Sequence, residues 1–355
     1  MEVVFLKNKR VFCTGNQNPC LTEHHKIVIV LSMKESEKRE KPYYALDYYL
    51  REQFGGKVYK VALNAGMSCP NRDGTIGYGG CIFCSAGGSG DFAGDVHRTI
   101  TDQIAQGIEG TKKFKAERYI AYFQAFTNTY APIERLEAVY KEAIVHEQIA
   151  ALSIATRPDC ISEEVIALLT ELNTQKPVWV ELGLQTIHEQ TAQYIRRGYG
   201  LDCFAQTVQR LSRAGLTVIV HVILGLPGES REDMLETISY LNHCPIQGIK
   251  LQLLHVLQGT DLAAEYEAHA FEVLEFEEYI QLVCDCIGYL RSDIVVHRIT
   301  GDGPKDLLIA PLWSTGKRKV MNAIHHQLRV RSITQGCFLT EAEGGMKNVG
   351  ADGFI

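Results

Sequence analysis

The chain predicts an open, partial α/β barrel, a (β/α)6 arc of TIM-like barrel followed by a small α/β extension. Three observations predict it. From residue 57 onward, short β-branched and apolar runs alternate with longer amphipathic stretches, the pattern of a parallel sheet crossed over by helices. Six such repeats fall short of the eight that close a barrel. Polar residues also recur just past successive strands, where the loops of such a barrel surround one shared cavity.

The strands are expected at 58–63, 119–123, 152–155, 178–182, 217–224 and 249–255. Helical stretches separate them at 99–113, 132–147, 162–172, 189–196 with 202–214, and 231–242. Ser162, followed by Glu163 and Glu164, reads as an N-cap with acids in the first turn. These repeats place a barrel core at 43–260. The remainder, 261–355, holds a helix rich in glutamate (Glu272, Glu275, Glu277, Glu278), a short strand at 294–297 and a final helix at 319–328. The first 33 residues lack steady periodicity and read as a poorly ordered extension. Met33, which opens the charged stretch KESEKREKP, is a candidate natural start.

With 355 residues, 46% of them hydrophobic, the chain can bury a large core. Its net charge of −6 gives no global pull toward nucleic acid or an anionic membrane. No apolar run reaches the roughly 18 residues that span a bilayer, and no signal peptide is evident, so the expected location is cytoplasmic, with no membrane partner. In a chain of this size, eleven cysteines point to metal or redox chemistry before a disulfide framework. Cys160, Cys203, Cys244 and Cys337 stand alone and read as small buried hydrophobes. Cys284 and Cys286 sit two apart on a helix and face different ways.

Cys69, Cys81 and Cys84 are different. They form C-x11-C-x2-C within LNAGMSCPNRDGTIGYGGCIFCSAGGSGDF, directly after the first strand. Three thiolates are one short of a full set for a four-iron cluster or a closed tetrahedral site. A cluster held this way keeps one iron free for a reactive ligand. The loop's glycines let backbone wrap closely around a bulky inorganic group, and Phe83 would shield it from water.

The later strand ends carry Gln124, Thr127 and Asn128 after the second strand and Thr156, Arg157 and Asp159 after the third. The fourth runs into ELGLQT, where Glu181 and Gln185 can hydrogen-bond a ribose or an amino acid group; RRGYG then brings Arg196 and Arg197 to the same rim. The fifth ends in GLPGE, whose Gly225 and Gly228 permit close ligand approach. The sixth ends at Gln252 and His255. His221 alternates with Ile223 along its strand and fits a satisfied barrel residue, whereas Lys250 has no side of the sheet assigned. No dinucleotide or P-loop glycine motif stands in a strand–helix context.

Taken together, the cysteine loop, ELGLQT, RRGYG, VHVILGLPGE and the tail pattern TGDGP…APLWS…K resemble the radical S-adenosylmethionine (SAM) superfamily. More closely, the stretch from Tyr43 to Ile324 resembles its YhcC-type family, related to the radical SAM domain of the Elongator catalytic subunit. The wide cysteine spacing matches that subgroup. The resemblance implies a radical-SAM-type partial barrel in which Cys69, Cys81 and Cys84 hold a [4Fe–4S] cluster and SAM binds the fourth iron. Reductive cleavage would then give methionine and a 5′-deoxyadenosyl radical that abstracts a hydrogen atom. In that scheme Gln124 and Asn128 meet the methionine end of SAM, Glu181 and Gln185 its ribose or amino group, and Arg197 its carboxylate. Gly225 and Gly228 let adenine pack on the fifth strand. A reducing partner, flavodoxin or ferredoxin, is implied. No acetyltransferase domain is seen after the barrel, so the full Elongator activity is not carried over.

The tail from His297 to Arg331 is basic on balance, and Trp313, Lys317 and Arg318 could contact an RNA backbone or stack on an unpaired base. His255 is a further candidate for substrate contact. The leading reading is modification of tRNA at C5 of the wobble uridine, with a small metabolite or peptide as the alternative substrate. A reading of another class is a structural zinc site in a non-catalytic RNA- or protein-binding module. It is weakened by the lack of a fourth ligand nearer than His97.

Overall fold

The computed structural model describes residues 41–340 apart from Ser89 and Asp302; the N-terminal extension and the candidate start at Met33 lie outside them. Seven parallel strands make one sheet in strictly sequential order: β1 (Val58–Leu63), β2 (Arg118–Phe123), β3 (Ile149–Thr156), β4 (Val178–Gln185), β5 (Thr217–Leu224), β6 (Gly248–Leu253) and β8 (Val295–Arg298). The six expected repeats are there, and the short strand from the C-terminal stretch adds a seventh. Parallel strands buried on both sides need apolar residues almost throughout, and VWVELGLQ and TVIVHVIL supply them.

Helices α1 (Leu46–Phe54), α2 (Ile100–Thr111), α3 (Ile133–Ile144), α4 (Glu163–Asn173), α5 (Glu189–Tyr194), α6 (Leu201–Arg213) and α7 (Arg231–Asn242) accompany the sheet. Caps fix several starts. Ser162 accepts the Val165 N–H at α4, as expected from its sequence, and Ser230 and Asp233 close a reciprocal capping box at α7. The main core lies between helices and sheet, with Phe123, Tyr140, Leu169, Phe204, Leu211 and Ile238 shielded from solvent.

The sheet stays open: β1 and β8 are its two edges. Ala45 bridges to Val296 of β8, and α1 then packs against both edge strands, which covers ladder groups that would otherwise invite another chain. At the other end, β7 (Val256–Leu257) pairs antiparallel with β9 (Leu308–Ala310), beside α8 (Asp261–Glu267). Helices α9 (Phe276–Tyr289) and α10 (Lys317–Val330) pack together and finish the core.

Candidate functional site

One cavity of about 1080 Å³ opens inside the curve of the sheet. It exceeds the roughly 300–1,000 Å³ of an ordinary single-ligand pocket. Its mouth is lined by Cys69, Cys81 and Cys84, and its depth by Lys60, Tyr122, Glu181, His221 and Lys250. Strand alternation explains the lining. Lys60 and Ala62, Tyr122 and Gln124, His221 and Ile223, and Lys250 and Gln252 are each two apart, so each pair points to the inner face.

The cysteine loop is pinned from several sides. The Cys69 carbonyl accepts the N–H groups of Arg72 and Asp73, and the Cys84 N–H donates to the Cys81 carbonyl at 3.0 Å. Arg72 reaches back to the carbonyls of Cys84 and Ser85 at 3.0 and 2.5 Å. Gly80 has to be glycine: its φ is +86°, and a Cβ there would come within 2.8 Å of the Arg72 side chain. Asn71 donates to the Arg196 carbonyl at 2.5 Å, joining the loop to RRGYG. Burial pushes the Cys81 thiol up to about 12, neighbouring Cys84 and Cys69 add to the rise, and Arg157 opposes it. The three thiols therefore share one electrostatic neighbourhood.

Their spread tests which metal they suit. Ligand sulfurs on one tetrahedral zinc lie about 3.8 Å apart, given Zn–S bonds of about 2.3 Å. Among the described residues, the three thiols do not form a set whose ligand atoms all lie within 4.8 Å of one another; His188, Asp233 and Glu236 do. Thiolates on different irons of a cluster stand further apart than thiolates on one ion. As a donor set, three thiols at one cavity mouth suit a four-iron cluster that keeps one iron without protein sulfur.

Beneath the thiols lies a buried charged layer that sequence reasoning largely missed. The Glu181 carboxylate accepts Lys60 Nζ at 2.8 Å and Ser153 Oγ at 2.6 Å on one oxygen. Its other oxygen accepts His221 Nε2 at 2.7 Å and Lys250 Nζ. Lys250 Nζ also donates to Tyr122 Oη at 3.1 Å. Burial alone would push the Glu181 carboxyl up, but Lys250, Lys60 and then His221 hold it well below the usual carboxylate range. Burial pulls Lys250 down to about 7, with Glu181 resisting and Lys60 reinforcing the drop. Burial, then Lys250, likewise takes His221 down to about 4, so near neutral pH its Nε2–H is the donor to Glu181.

Gln124, Gln185, Arg197 and His255 also line the cavity. Gln185 has φ +64° at a β-bulge of β4, which aims its side chain inward. Arg197 is fully buried and gives four of its five N–H groups to the carbonyls of Leu184, Thr186 and Tyr199 and to Glu189. Glu181 has both oxygens occupied twice over. Both groups brace the wall of the cavity through these bonds.

Other expected residues lie outside the lining. Asn128 is buried, and its amide donates to the Ala155 carbonyl at 2.9 Å. Gly225 and Gly228, at φ +87° and +84°, serve the turn itself, and Leu274 covers Gly225. Trp313 donates its indole N–H to the Leu274 carbonyl at 3.2 Å and packs against Phe276 and Tyr279. The ring is half-buried against the core. Lys317 and Arg318 are exposed at the start of α10. His255 meets Ser314 Oγ at 3.1 Å, tying the extension to the cavity mouth. Of the lone cysteines, Cys244 is buried, Cys160 and Cys203 are half-buried, and Cys337 is exposed.

Residues 69–241 match the family model for the Radical SAM superfamily, and residues 246–330 match the Radical_SAM C-terminal domain. YtqA of Bacillus subtilis strain 168 is 47% identical over 86% of this chain and 95% of its own length. YhcC of Escherichia coli K12 is 40% identical over 74% of this chain and 85% of its own. The chain belongs to the radical SAM superfamily, in its YhcC-type family. More distantly, the tRNA uridine(34) acetyltransferase of Methanocaldococcus jannaschii is 23% identical over 73% of this chain, which spans about half of that protein (54%). The solved structure of the archaeal Methanocaldococcus infernus Elp3 with an N-terminal deletion superposes with a TM-score of 0.59 at 19% identity, over 78% of this chain and 64% of that one. It shares the fold. As a radical SAM enzyme the protein takes a [4Fe–4S] cluster and SAM as cofactors. No helix among the described residues is long and apolar enough to cross a membrane.

Proposed function

We propose that Cys69, Cys81 and Cys84 hold the cluster and that the enzyme modifies tRNA at the C5 side chain of the wobble uridine. The observation that supports the cluster assignment is the trio of thiols at the mouth of one deep cavity. When bound, the cluster and SAM supply a 5′-deoxyadenosyl radical, fed by a reducing partner such as flavodoxin or ferredoxin. The chain's own residues orient and shield. Arg72 and Asn71 hold the loop, Phe83 shields the mouth, and Gln124 and Gln185 present amides to whatever enters.

Support for tRNA comes from the distant likeness to a tRNA uridine(34) acetyltransferase and from exposed cations at Lys317 and Arg318. On this reading residues 43–260 form the catalytic core, and 261–355 complete the cavity mouth and meet the substrate. The test is anaerobic reconstitution with labelled SAM and bulk tRNA from a deletion strain, paired with nucleoside mass spectrometry of that strain. A lost wobble-uridine modification, restored in vitro, is the expected result. An unchanged nucleoside profile with active SAM cleavage would transfer the substrate to a small metabolite or peptide.

A further inference from the structure

The floor of the cavity holds two ammonium groups and one carboxylate. Lys60 Nζ and Lys250 Nζ both bond Glu181, and neither has another acidic partner among the described residues. Six N–H groups lie on these two nitrogens; Glu181 takes two and Tyr122 Oη a third. Both side chains line the cavity, and both nitrogens also stand over the Tyr122 ring, at 4.7 and 4.5 Å from its centroid.

Among the described residues, the strand neighbours of the two lysines supply no second anion. Tyr122 on β2 is held in its neutral form by burial, His221 on β5 and His297 on β8 are pulled toward neutrality, and Arg298 on β8 adds positive charge. The other acids on the wall, Asp91 and Asp306, belong to loops at the mouth. Depth matters as well. Lys60 and Lys250 each stand three residues before the end of their strand, about 10 Å below the rim at about 3.3 Å per residue. The cysteines lie beyond that rim.

We propose that Lys60 and Lys250 form a subsite for an anionic group, a carboxylate or a phosphate, borne on the tip of the substrate that reaches down the barrel. This rests on the reading of the cavity as the reaction chamber and adds the chemical class of what it accepts. An anion there completes the charge balance that a single carboxylate leaves unfinished, and it restores the proton affinity that burial takes from Lys250.

The test is a pH titration of the Lys250 Cε resonance in the full-length chain carrying lysine labelled with carbon-13, assigned against the Lys250→Arg protein. It requires neither cluster nor SAM, so its failure is separable from failure of the radical chemistry. Acetate, inorganic phosphate, neutral acetamide and SAM are compared at constant ionic strength. The midpoint rises by one unit or more, a tenfold gain in proton affinity, with acetate if the floor takes carboxylates, or with phosphate if it takes phosphates. No response to either anion, an equal response to acetamide, or a response to SAM alone overturns the substrate subsite. Should Lys250→Arg not fold, Lys60→Gln replaces it: the anion-induced shift halves or better if the two lysines share the anion. An undiminished shift overturns the sharing.

Discussion

Glu181 and Lys250 pair across β5, each from a strand that hydrogen-bonds β5 and not the other. The inward side chains of β4 and β6 meet over His221 of the strand between them. It is buried on both sides, at 0% and 5% side-chain exposure. Removing Glu181 strands two ammonium groups, whereas replacing Glu181 and Lys250 together leaves only Lys60, the more exposed of the two, without its acid.

Glu181→Leu is therefore expected to cost about 3–5 kcal/mol of stability, the range for breaking a buried pair. Glu181→Leu combined with Lys250→Met should cost clearly less than the two single losses added. Urea unfolding of the four proteins in the cycle measures it. Strict additivity would mean that the two groups are not coupled.

Stability should also respond to pH through Lys250. Its folded pKa is about 7 against an ordinary 10.5, so between those values the unfolded chain holds a proton that the folded chain has released. Stability then rises with pH across that window. The raised Cys81 thiol acts in the opposite sense, but only above its ordinary value of 9.0. Urea midpoints should increase from pH 7 to about pH 8.5 in the wild type, and the increase should shrink markedly in Lys250→Met. A rise of equal size in the variant assigns the dependence to other groups.

Much of the fold was legible because a parallel sheet writes itself as apolar runs between amphipathic helices, and loops following strands can be found once the strands are. That is why the thiols, Gln124, Gln185 and His255 were placed at one cavity from the chain alone. The charged floor was harder to see. Lys60 and Lys250 each interrupt an apolar strand, and that interruption was the available signal, but their countercharge lies on β4, 121 and 69 residues away. Partnership at that separation depends on curvature, which periodicity does not encode. Trp313 was ambiguous for a related reason: an aromatic among basic residues reads the same whether it faces solvent or, as here, sits half-buried against Phe276 and Tyr279 of α9.

Cys69, Cys81 and Cys84 should fail singly. With Cys69→Ala, Cys81→Ala or Cys84→Ala, reconstituted iron and sulfide should fall to a small fraction of wild type and SAM cleavage to background, because two thiolates do not retain a four-iron cluster. Cys244→Ala, a buried cysteine on the far side of the core, should keep its iron. Iron and sulfide analysis with chromatography of 5′-deoxyadenosine reads both. Full cleavage in the Cys69→Ala protein would overturn the ligand assignment.

Lys317 and Arg318 test the RNA reading independently of the cluster. Both are exposed at the start of α10, where a helix end already favours anions and cations gain nothing from the local dipole. Each phosphate they neutralise contributes about 0.7–0.9 to the slope of log affinity against log salt. The double reversal Lys317→Glu with Arg318→Glu should weaken tRNA binding at low salt by tenfold or more and flatten that slope by about one to two units. Filter binding across a salt series measures both quantities. An unchanged slope would make this face ordinary solvated surface and move the RNA contact, if there is one, to the cavity mouth.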